Sequence, residues 1–177
     1  MKNEKALLVI DMQVDFVTGA LANEEAQQII GRLQEKIAAY RAEGYPVLFT
    51  RDTHGENYME TQEGRLLPVP HCIKDSEGWQ IIDDLREGVR EEDVLDKPTF
   101  GCMELPGWLG EKLGGVPEEI ELVGVCTDIC VISNAMILKA AFPETTVKVD
   151  SSCCAGVSPQ SHETAIEAMK ACQIIVG

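Results

Sequence analysis

Short apolar runs alternate along the chain with segments in which apolar residues recur at helical spacing. The apolar runs cover residues 6–10, 46–50, 93–95, 119–125, 145–149 and 173–176. An uninterrupted run such as "ALLVI" is typical of a strand that is buried on both faces. Strands that alternate with helices predict a parallel sheet with helices on both faces. We therefore predict an α/β fold, a Rossmann-like three-layer αβα sandwich with a six-stranded, mostly parallel sheet.

Helices are expected between these strands. The longest is predicted from Ala26 to Tyr40, with a natural stop at Gly44. Further helices are predicted at about 79–85, 104–114, 128–141 and 158–172. Ser158 is a plausible N-cap of the last one. Because the chain has no internal repeat, low-complexity tract or linker, we expect one domain over residues 1–177.

Residues 51–78 differ from the rest of the chain. They are polar, rich in Gly and Pro, and show no convincing period. A connection of that length is uncommon in a compact domain unless it has a function of its own. We therefore expect a functional loop in this segment.

The charge of the chain excludes some classes of function. The net charge is −15 with a pI near 4.5, so the surface repels nucleic-acid phosphates and anionic lipids, and we expect neither partner. The first apolar run is too short for a signal peptide or a bilayer span. Seven cysteines, an odd number, indicate reduced thiols and not a disulfide framework. We therefore expect a cytoplasmic protein.

Polar residues whose side chains can take part in catalysis or bind a ligand lie where the predicted strands end. Ligands of open parallel sheets bind outside the carboxyl ends of the strands. Asp11 follows the first strand, Asp52 and His54 the second, Lys97 the third, and the segment from Cys126 to Cys130 the fourth. These side chains are therefore expected to meet at one edge of the sheet.

Cys130 falls in the first turn of a predicted helix. Unpaired N–H groups there favour a thiolate and can also stabilise an oxyanion. Asp11 is a plausible proton acceptor, and Lys97 would keep it ionised. On spacing alone, Cys130 is only modestly more plausible as a nucleophile than as a core residue, and Asp11 and Lys97 strengthen the first interpretation.

The remaining cysteines have a simpler interpretation. A lone cysteine in an apolar context is usually a small core residue. We assign Cys126, Cys153, Cys154 and Cys172 to that class. The spacing of Cys126 and Cys130 is not the Cys-x-x-Cys of redox enzymes or zinc ribbons.

The polar loop offers a candidate metal site. Asp52, His54, Glu63 and His71 supply mixed nitrogen and oxygen ligands of the kind that Zn²⁺, Fe²⁺ or Mn²⁺ binds. The alternative, about equally plausible, is that Asp52 caps a turn and the histidines pack in a polar loop. His162, on the last predicted helix, is expected to be exposed.

Together, these segments resemble the isochorismatase-like cysteine hydrolases, and within them the nicotinamidase/pyrazinamidase branch. "LLVIDMQVDF" resembles the family's first-strand motif, and "TRDTHGENY" and "LPVPHC" resemble its metal-binding loop. "DKPTFGC" carries the family lysine, and "GVCTDICV" matches the nucleophile motif nearly residue for residue. The likeness covers most of the chain, with the motifs in the family's order.

The resemblance implies a role for each matching residue. Asp11 would be the catalytic acid and base, Lys97 its supporting cation, and Cys130 the nucleophile. The backbone N–H groups of Cys126, which follows a cis peptide in the family, and of Cys130 would form the oxyanion hole. Phe16 would be an aromatic wall of the substrate pocket.

The resemblance also implies a cofactor and a reaction. Asp52, His54 and His71 would bind a divalent metal ion, zinc by preference with iron or manganese as alternatives, and Glu63 completes the set in some members. The implied substrate is a small amide, nicotinamide before others, which is converted to nicotinate and ammonia. Homo-oligomers are common in the family.

Two alternatives remain open. Another hydrolase of the superfamily is one: an N-carbamoyl amidase keeps the cysteine but needs no metal site, whereas an isochorismatase needs no thiol. The other is a protein that binds metal or senses thiols without turnover.

Overall fold

The computed structural model describes residues 4–177 and is built on a six-stranded sheet. Strands β1 to β6 span Lys5–Ile10, Val47–Asp52, Val94–Lys97, Glu119–Val125, Thr146–Ala155 and Ile175–Val176. Their order is β3-β2-β1-β4-β5-β6, and neighbouring strands pair in parallel throughout. The predicted α/β fold is confirmed, with an all-parallel sheet. Residues 1–3 of the predicted domain lie outside the described residues.

Helices pack on both faces of this sheet. Helices α1 to α8 span Val14–Val17, Glu24–Gln28, Ile30–Ala42, Gln62–Leu66, Asp83–Arg86, Leu105–Leu113, Ile132–Ala141 and Pro159–Ala171. Single 3₁₀ turns lie at Tyr58–Glu60 and Glu91–Asp93, and a π-helical turn lies at Thr127–Val131. No helix within residues 4–177 is long and apolar enough to cross a membrane.

Burial of β1 on both faces explains why its sequence is apolar throughout. Successive side chains of a strand point to opposite faces. Ala6, Leu8 and Ile10 therefore join the core formed with α6, α7 and α8, whereas Leu7 and Val9 join the core formed with α2 and α3. All of these side chains are at most 1% exposed. A strand between two helical layers thus has no face for polar residues.

Local capping moves the boundaries of the first long helix. The helix predicted from Ala26 is two helices, α2 and α3, which meet at Ile29. The first begins at Glu24, because the Asn23 side chain accepts hydrogen bonds from the N–H groups of Glu25 and Ala26. The predicted N-cap of the last helix is confirmed, since the Ser158 hydroxyl accepts from the Ser161 N–H.

The two last strands also differ from their predicted lengths. β5 continues past residue 149 to Ala155, with a register shift against β4 between Leu122 and Gly124. β6 has only two residues and cannot begin at Gln173 as predicted, because a φ of 64° places that residue in the left-handed region, which an extended strand excludes.

The carboxyl ends of β3, β2, β1 and β4 lie side by side at one edge of the sheet. Asp11 directly follows β1, and Cys126 directly follows β4. Asp52 and Lys97 were expected to follow their strands, but they are the last residues of β2 and β3, because they pair with each other in the ladder. The predicted meeting point of the polar residues is therefore present.

Candidate active site

Lys97 is surrounded by two buried carboxyl groups and a buried thiol. Its Nζ is 2.6 Å from Asp11 Oδ2, 3.2 Å from Asp52 Oδ1 and 3.4 Å from Cys130 Sγ. Lys97 and Asp11 are fully buried, and Cys130 is 4% exposed. Burial lowers the pKa of Lys97, but the charges of Asp11, Cys130 and Asp52 outweigh it and hold that pKa well above its ordinary value. We call Asp11, Lys97 and Cys130 the catalytic cluster.

Asp11 is held by β2 as well as by Lys97. The Thr50 hydroxyl donates to Asp11 Oδ1 at 2.6 Å and accepts from the Asp11 N–H at 3.3 Å. The backbone of Asp11 has a φ of 48°, which is uncommon for a residue with a side chain and recurs at functional sites. Burial raises the pKa of its carboxyl, against the opposing charge of Lys97. Such a carboxyl is suited to accept and return a proton.

Cys130 lies in the π-helical turn Thr127–Val131, which we call the nucleophile turn. The peptide bond between Val125 and Cys126 before it is cis. The Cys126 carbonyl accepts from the N–H groups of Ile129 and Val131 at 3.0 and 3.1 Å. Both candidate oxyanion donors, the N–H groups of Cys126 and Cys130, therefore belong to one closed turn at the end of β4.

Asn134 fixes this turn from the side of α7, and the sequence reasoning missed it. Its Nδ2 donates to the carbonyl oxygens of Cys130 at 2.8 Å and Phe100 at 3.0 Å. Its Oδ1 accepts from the Cys102 N–H at 2.9 Å. A fully buried amide in the first turns of an apolar helix was the available signal.

Burial and neighbouring charges act on the thiol of Cys130. Burial raises the pKa of Cys130 well above its ordinary value, the charge of Asp11 adds to this, and Lys97 opposes it. Desolvation therefore opposes the stabilisation of a thiolate that was expected from the N–H groups at the helix start. Asp11 is the carboxyl group beside this thiol in the same cluster.

The predicted metal ligands form a second group next to the first. One donor atom from each of Asp52, His54, Glu63 and His71 lies within 4.8 Å of all the others. Asp52 Oδ2 is 3.0 Å from His54 Nε2 and 3.6 Å from His71 Nε2, and Glu63 Oε1 is 3.5 Å from His54 Nε2. We call these residues the metal cluster. Asp52 joins it to the catalytic cluster, since its other oxygen faces Lys97.

The donor atoms of the metal cluster fit a divalent ion. Glu63 Oε1 is buried and has no hydrogen-bond partner within residues 4–177. His71 Nδ1 lies 2.8 Å from the Val69 carbonyl, so a proton on Nδ1 leaves Nε2 as a ligand atom. Two imidazole nitrogens and two carboxylate oxygens are a set that Zn²⁺, Fe²⁺ or Mn²⁺ accepts.

Tyr58 packs the two histidines together and was not singled out in the sequence. It is 1% exposed, and its ring centroid lies 4.7 Å from that of His54 and 5.0 Å from that of His71. Its hydroxyl donates to the Leu67 carbonyl at 2.9 Å. Tyr58 thus ties the orientation of both imidazoles to the loop that carries Glu63.

Two polar residues of "DMQVDF" hold the backbone of the metal cluster, and the sequence reasoning did not assign them. The Gln13 Oε1 accepts from the Asp52 N–H at 2.7 Å, and Gln13 Nε2 donates to the Asp52 carbonyl at 2.9 Å. Asp15 Oδ2 accepts from the Cys72 N–H at 2.7 Å, next to His71. Buried polar residues require partners, so their place in an otherwise apolar motif was the available signal.

A cavity of about 850 Å³ opens onto both clusters. Its lining includes Cys126, Cys130, Asp52, Glu63 and His71 at the inner end. Phe16 forms part of the same wall, with its ring 5.5 Å from the His71 ring. The volume lies within the range of small-molecule sites.

Two expectations about single residues are wrong. His162 is half-buried instead of exposed, because its Nδ1 lies 2.8 Å from the Thr127 hydroxyl. Cys172 is exposed instead of buried, because it caps the carboxyl end of α8 and does not face the sheet. Cys153 and Cys154 are buried as expected, and Cys126 is half-buried at the cavity wall.

Comparison with protein families gives one match that spans nearly the whole chain. The family model described as "Isochorismatase domain" matches residues 5–177. The nicotinamidase/pyrazinamidase of Mycobacterium tuberculosis is 25% identical, with 96% of each chain covered.

Solved structures share the fold over the same extent. The nicotinamidase/pyrazinamidase of Bacillus subtilis superposes with a TM-score of 0.85 at 28% identity, covering 98% of this chain and 99% of that one. The pyrazinamidase of Pyrococcus horikoshii, solved in complex with zinc, superposes with a TM-score of 0.80 at 27% identity, covering 98% of each chain.

Proposed function

The chain belongs to the isochorismatase family of hydrolases, as its motifs predicted, and on that basis we propose that it is a nicotinamidase that uses Cys130 as nucleophile. One observation carries the proposal. The Lys97 ammonium group contacts both Asp11 and Cys130, and the metal cluster lies in the same cavity. Nucleophile, proton carrier and a site that orients the substrate are thus adjacent.

The first half of the reaction forms a thioester. Cys130 Sγ attacks the amide carbonyl carbon while its proton passes to Asp11, and the carbonyl oxygen takes the negative charge. The N–H groups of Cys126 and Cys130 stabilise that oxyanion. The C–N bond then breaks, Asp11 returns the proton to the nitrogen, and ammonia leaves.

The second half releases the acid. Asp11, again ionised, takes a proton from a water molecule that attacks the thioester carbonyl. The C–S bond breaks, the proton returns to the sulfur of Cys130, and the carboxylic acid leaves. Lys97 balances the charge of Asp11 in both halves, and Thr50 fixes its orientation.

Asp52, His54, His71 and Glu63 would hold a divalent metal ion, and zinc is our first choice because the P. horikoshii relative was solved with it. Such an ion would act as a Lewis acid toward a ring nitrogen of the substrate and would so help to orient its amide. Phe16 adds an aromatic wall for the ring of the substrate. This arrangement favours a heteroaromatic amide over an N-carbamoyl compound, which offers no such nitrogen.

The test is an ammonia-release assay with nicotinamide, pyrazinamide and N-carbamoyl compounds, with and without a chelator. We expect the two heteroaromatic amides to be hydrolysed and the chelator to raise KM strongly. Hydrolysis of the N-carbamoyl compounds alone, unaffected by chelator, would replace the proposal by the carbamoyl-amidase alternative. Stoichiometric metal binding without hydrolysis of any of these compounds would replace the proposal by the alternative of a metal-binding protein without turnover.

The assembly and location proposed with this function are separate expectations. We propose a homo-oligomer in the cytoplasm, which light scattering on the purified protein and cell fractionation would test. A monomer at all protein concentrations would contradict the first expectation.

A further inference from the structure

We propose that Thr127 and His162 form a pair that positions the nucleophile turn, an inference that rests on the proposed function. Thr127 Oγ1 lies 2.8 Å from His162 Nδ1. Thr127 is the first residue of the turn and is fully buried, and His162 lies in α8, a helix otherwise outside the catalytic cluster. The pair thus connects the turn to α8 through two side chains.

The hydroxyl of Thr127 depends on this contact. A buried hydroxyl keeps a hydrogen-bond partner, because leaving it unpaired is unfavourable. Thr127 lies between Cys126 and Cys130, the two residues whose N–H groups are the candidate oxyanion donors. A displacement of Thr127 therefore moves the oxyanion donors and the thiol together, and a misplacement of about 1 Å is enough to lower a rate about 100-fold.

Neighbouring contacts show that α8 is built to meet this turn. Asp128 Oδ1 accepts from the Val157 N–H at 3.0 Å, just before α8 begins. A Cβ added at Gly156 would lie 2.9 Å from His162 Cβ and 3.0 Å from Asp128 Oδ1, so only glycine allows this approach. The turn is therefore held by α8 on one side and by Asn134 on the other.

The direction of this hydrogen bond depends on the tautomer of the imidazole, whose Nδ1 either accepts from the hydroxyl or donates to it. The side-chain amide of asparagine can place a donor or an acceptor at the position of Nδ1, whereas phenylalanine has neither. His162→Asn and His162→Phe therefore separate the hydrogen bond from the bulk of the ring.

The experiment compares Thr127→Val, Thr127→Ser, His162→Phe, His162→Asn and the double variant Thr127→Val/His162→Phe. Thr145→Val is the matched control, because Thr145 is also buried and its hydroxyl donates to the Pro117 carbonyl at 2.7 Å, away from the cavity lining. For each protein we would measure kcat and KM for nicotinamide, the Tm, and the rate at which iodoacetamide alkylates Cys130, read by peptide mass spectrometry.

We expect Thr127→Val and His162→Phe each to lower kcat about tenfold with KM nearly unchanged, as loss of one positioning hydrogen bond predicts. Cys130 alkylation should slow in parallel, and Thr127→Ser and His162→Asn should retain most of both rates. The double variant should be no worse than the poorer single one, since both remove the same bond.

The inference is overturned if Thr127→Val loses thermal stability like Thr145→Val but keeps its kcat and alkylation rate. It is also overturned if the losses of the two single variants multiply in the double one. Alkylation needs no substrate, so a wild-type protein that hydrolyses no amide would refute the proposed function while this comparison still decides the inference.

Discussion

The catalytic cluster and the metal cluster meet where Asp52 of the second contacts Lys97 of the first, but they are built in different ways. Asp11 directly follows β1 and Lys97 ends β3, two strands that both pair with β2, and Cys130 lies in the turn after β4. The metal cluster takes only Asp52 from a strand end, and its other ligands come from the loop after β2. The sheet ladder therefore fixes most of the first cluster, whereas the second requires side chains that hold a loop.

The contacts that hold each cluster in place also differ, since one set lies within the sheet and the other holds the loop after β2. Asp11 needs only Thr50, a residue of the adjacent strand, in addition to Lys97. The loop ligands depend on Tyr58, whose ring packs on both histidines, and on Asp15, which holds the backbone beside His71. We infer that the catalytic cluster keeps its geometry when the metal cluster is damaged, and the predictions below test this.

The largest effect is expected from Cys130→Ala. Removal of the nucleophile should lower nicotinamide hydrolysis by at least about 1000-fold, because the steps that depend on it act as a unit. Metal content, measured by elemental analysis, should stay at the wild-type level, since Cys130 is not part of the metal cluster. Cys172→Ala, at an exposed cysteine, is the matched control and should keep full activity. A Cys130→Ala protein that retains activity would refute the mechanism.

His71→Ala should separate the two clusters. The variant loses a nearly buried imidazole ligand, so bound metal should fall to a small fraction of one equivalent and kcat/KM should drop about 100-fold. Alkylation of Cys130 by iodoacetamide should stay within a few-fold of wild type, because the ends of β1, β3 and β4 do not depend on the loop. If Cys130 reactivity collapsed together with the metal content, the two clusters would be one cooperative unit.

Glu63→Gln tests the fourth ligand. The Glu63 Oε1 is buried without a hydrogen-bond partner within residues 4–177, which a metal ion would supply. We expect metal affinity, measured by competition with a chelator, to fall about 10- to 100-fold while the protein still folds. Glu60→Gln, in the preceding turn and outside the metal cluster, is the control. Equal affinities for the two variants would restrict the ligands to Asp52, His54 and His71.

The sequence predicted the catalytic cluster well, for a physical reason. Parallel strands bring their carboxyl ends to one edge, so Asp11, Lys97 and the turn with Cys130 could be placed together from strand positions alone. The residues of the metal cluster could also be grouped as candidates, because Asp52 and His54 follow the second strand and His71 comes from the same polar segment. Its helical turns were not predicted, since they are short and set by caps such as Thr61, which accepts from the Gly64 N–H.

The supporting residues were harder to predict, because their partners lie far away in sequence. Thr50 stands in an apolar run, and its contact with Asp11 arises only when β1 and β2 pair. His162 lies on a helix with a polar face and was expected in solvent, and its partner Thr127 comes from another element. Burial of the Cys130 thiol, which raises its pKa, also depends on tertiary packing that no local pattern contains.

The smallest effect is expected at the ion pairs that are remote from both clusters. Lys36 Nζ lies 2.6 Å from Asp150 Oδ2 and 3.1 Å from Glu121 Oε1, at the surface of β4 and β5. Burial raises the pKa of Asp150, but the hydrogen bonds from Lys36 and Ser152 outweigh it, so the pKa lies below its ordinary value in the folded protein. A carboxylate with a depressed pKa stabilises the fold above its unfolded pKa and loses that contribution as the pH falls through its folded pKa.

Asp150→Asn should therefore lower Tm by a few degrees at pH 7 and by less at acid pH, below the ordinary aspartate pKa of about 3.9. Thermal scans of both proteins between these pH values would measure the difference. Glu167→Gln, which removes an exposed partner of Lys170, is the control and should change Tm little at either pH. The catalytic cluster contains none of these residues, so kcat at pH 7 should not change. A Tm difference that grew as the pH fell would contradict the depressed pKa of Asp150.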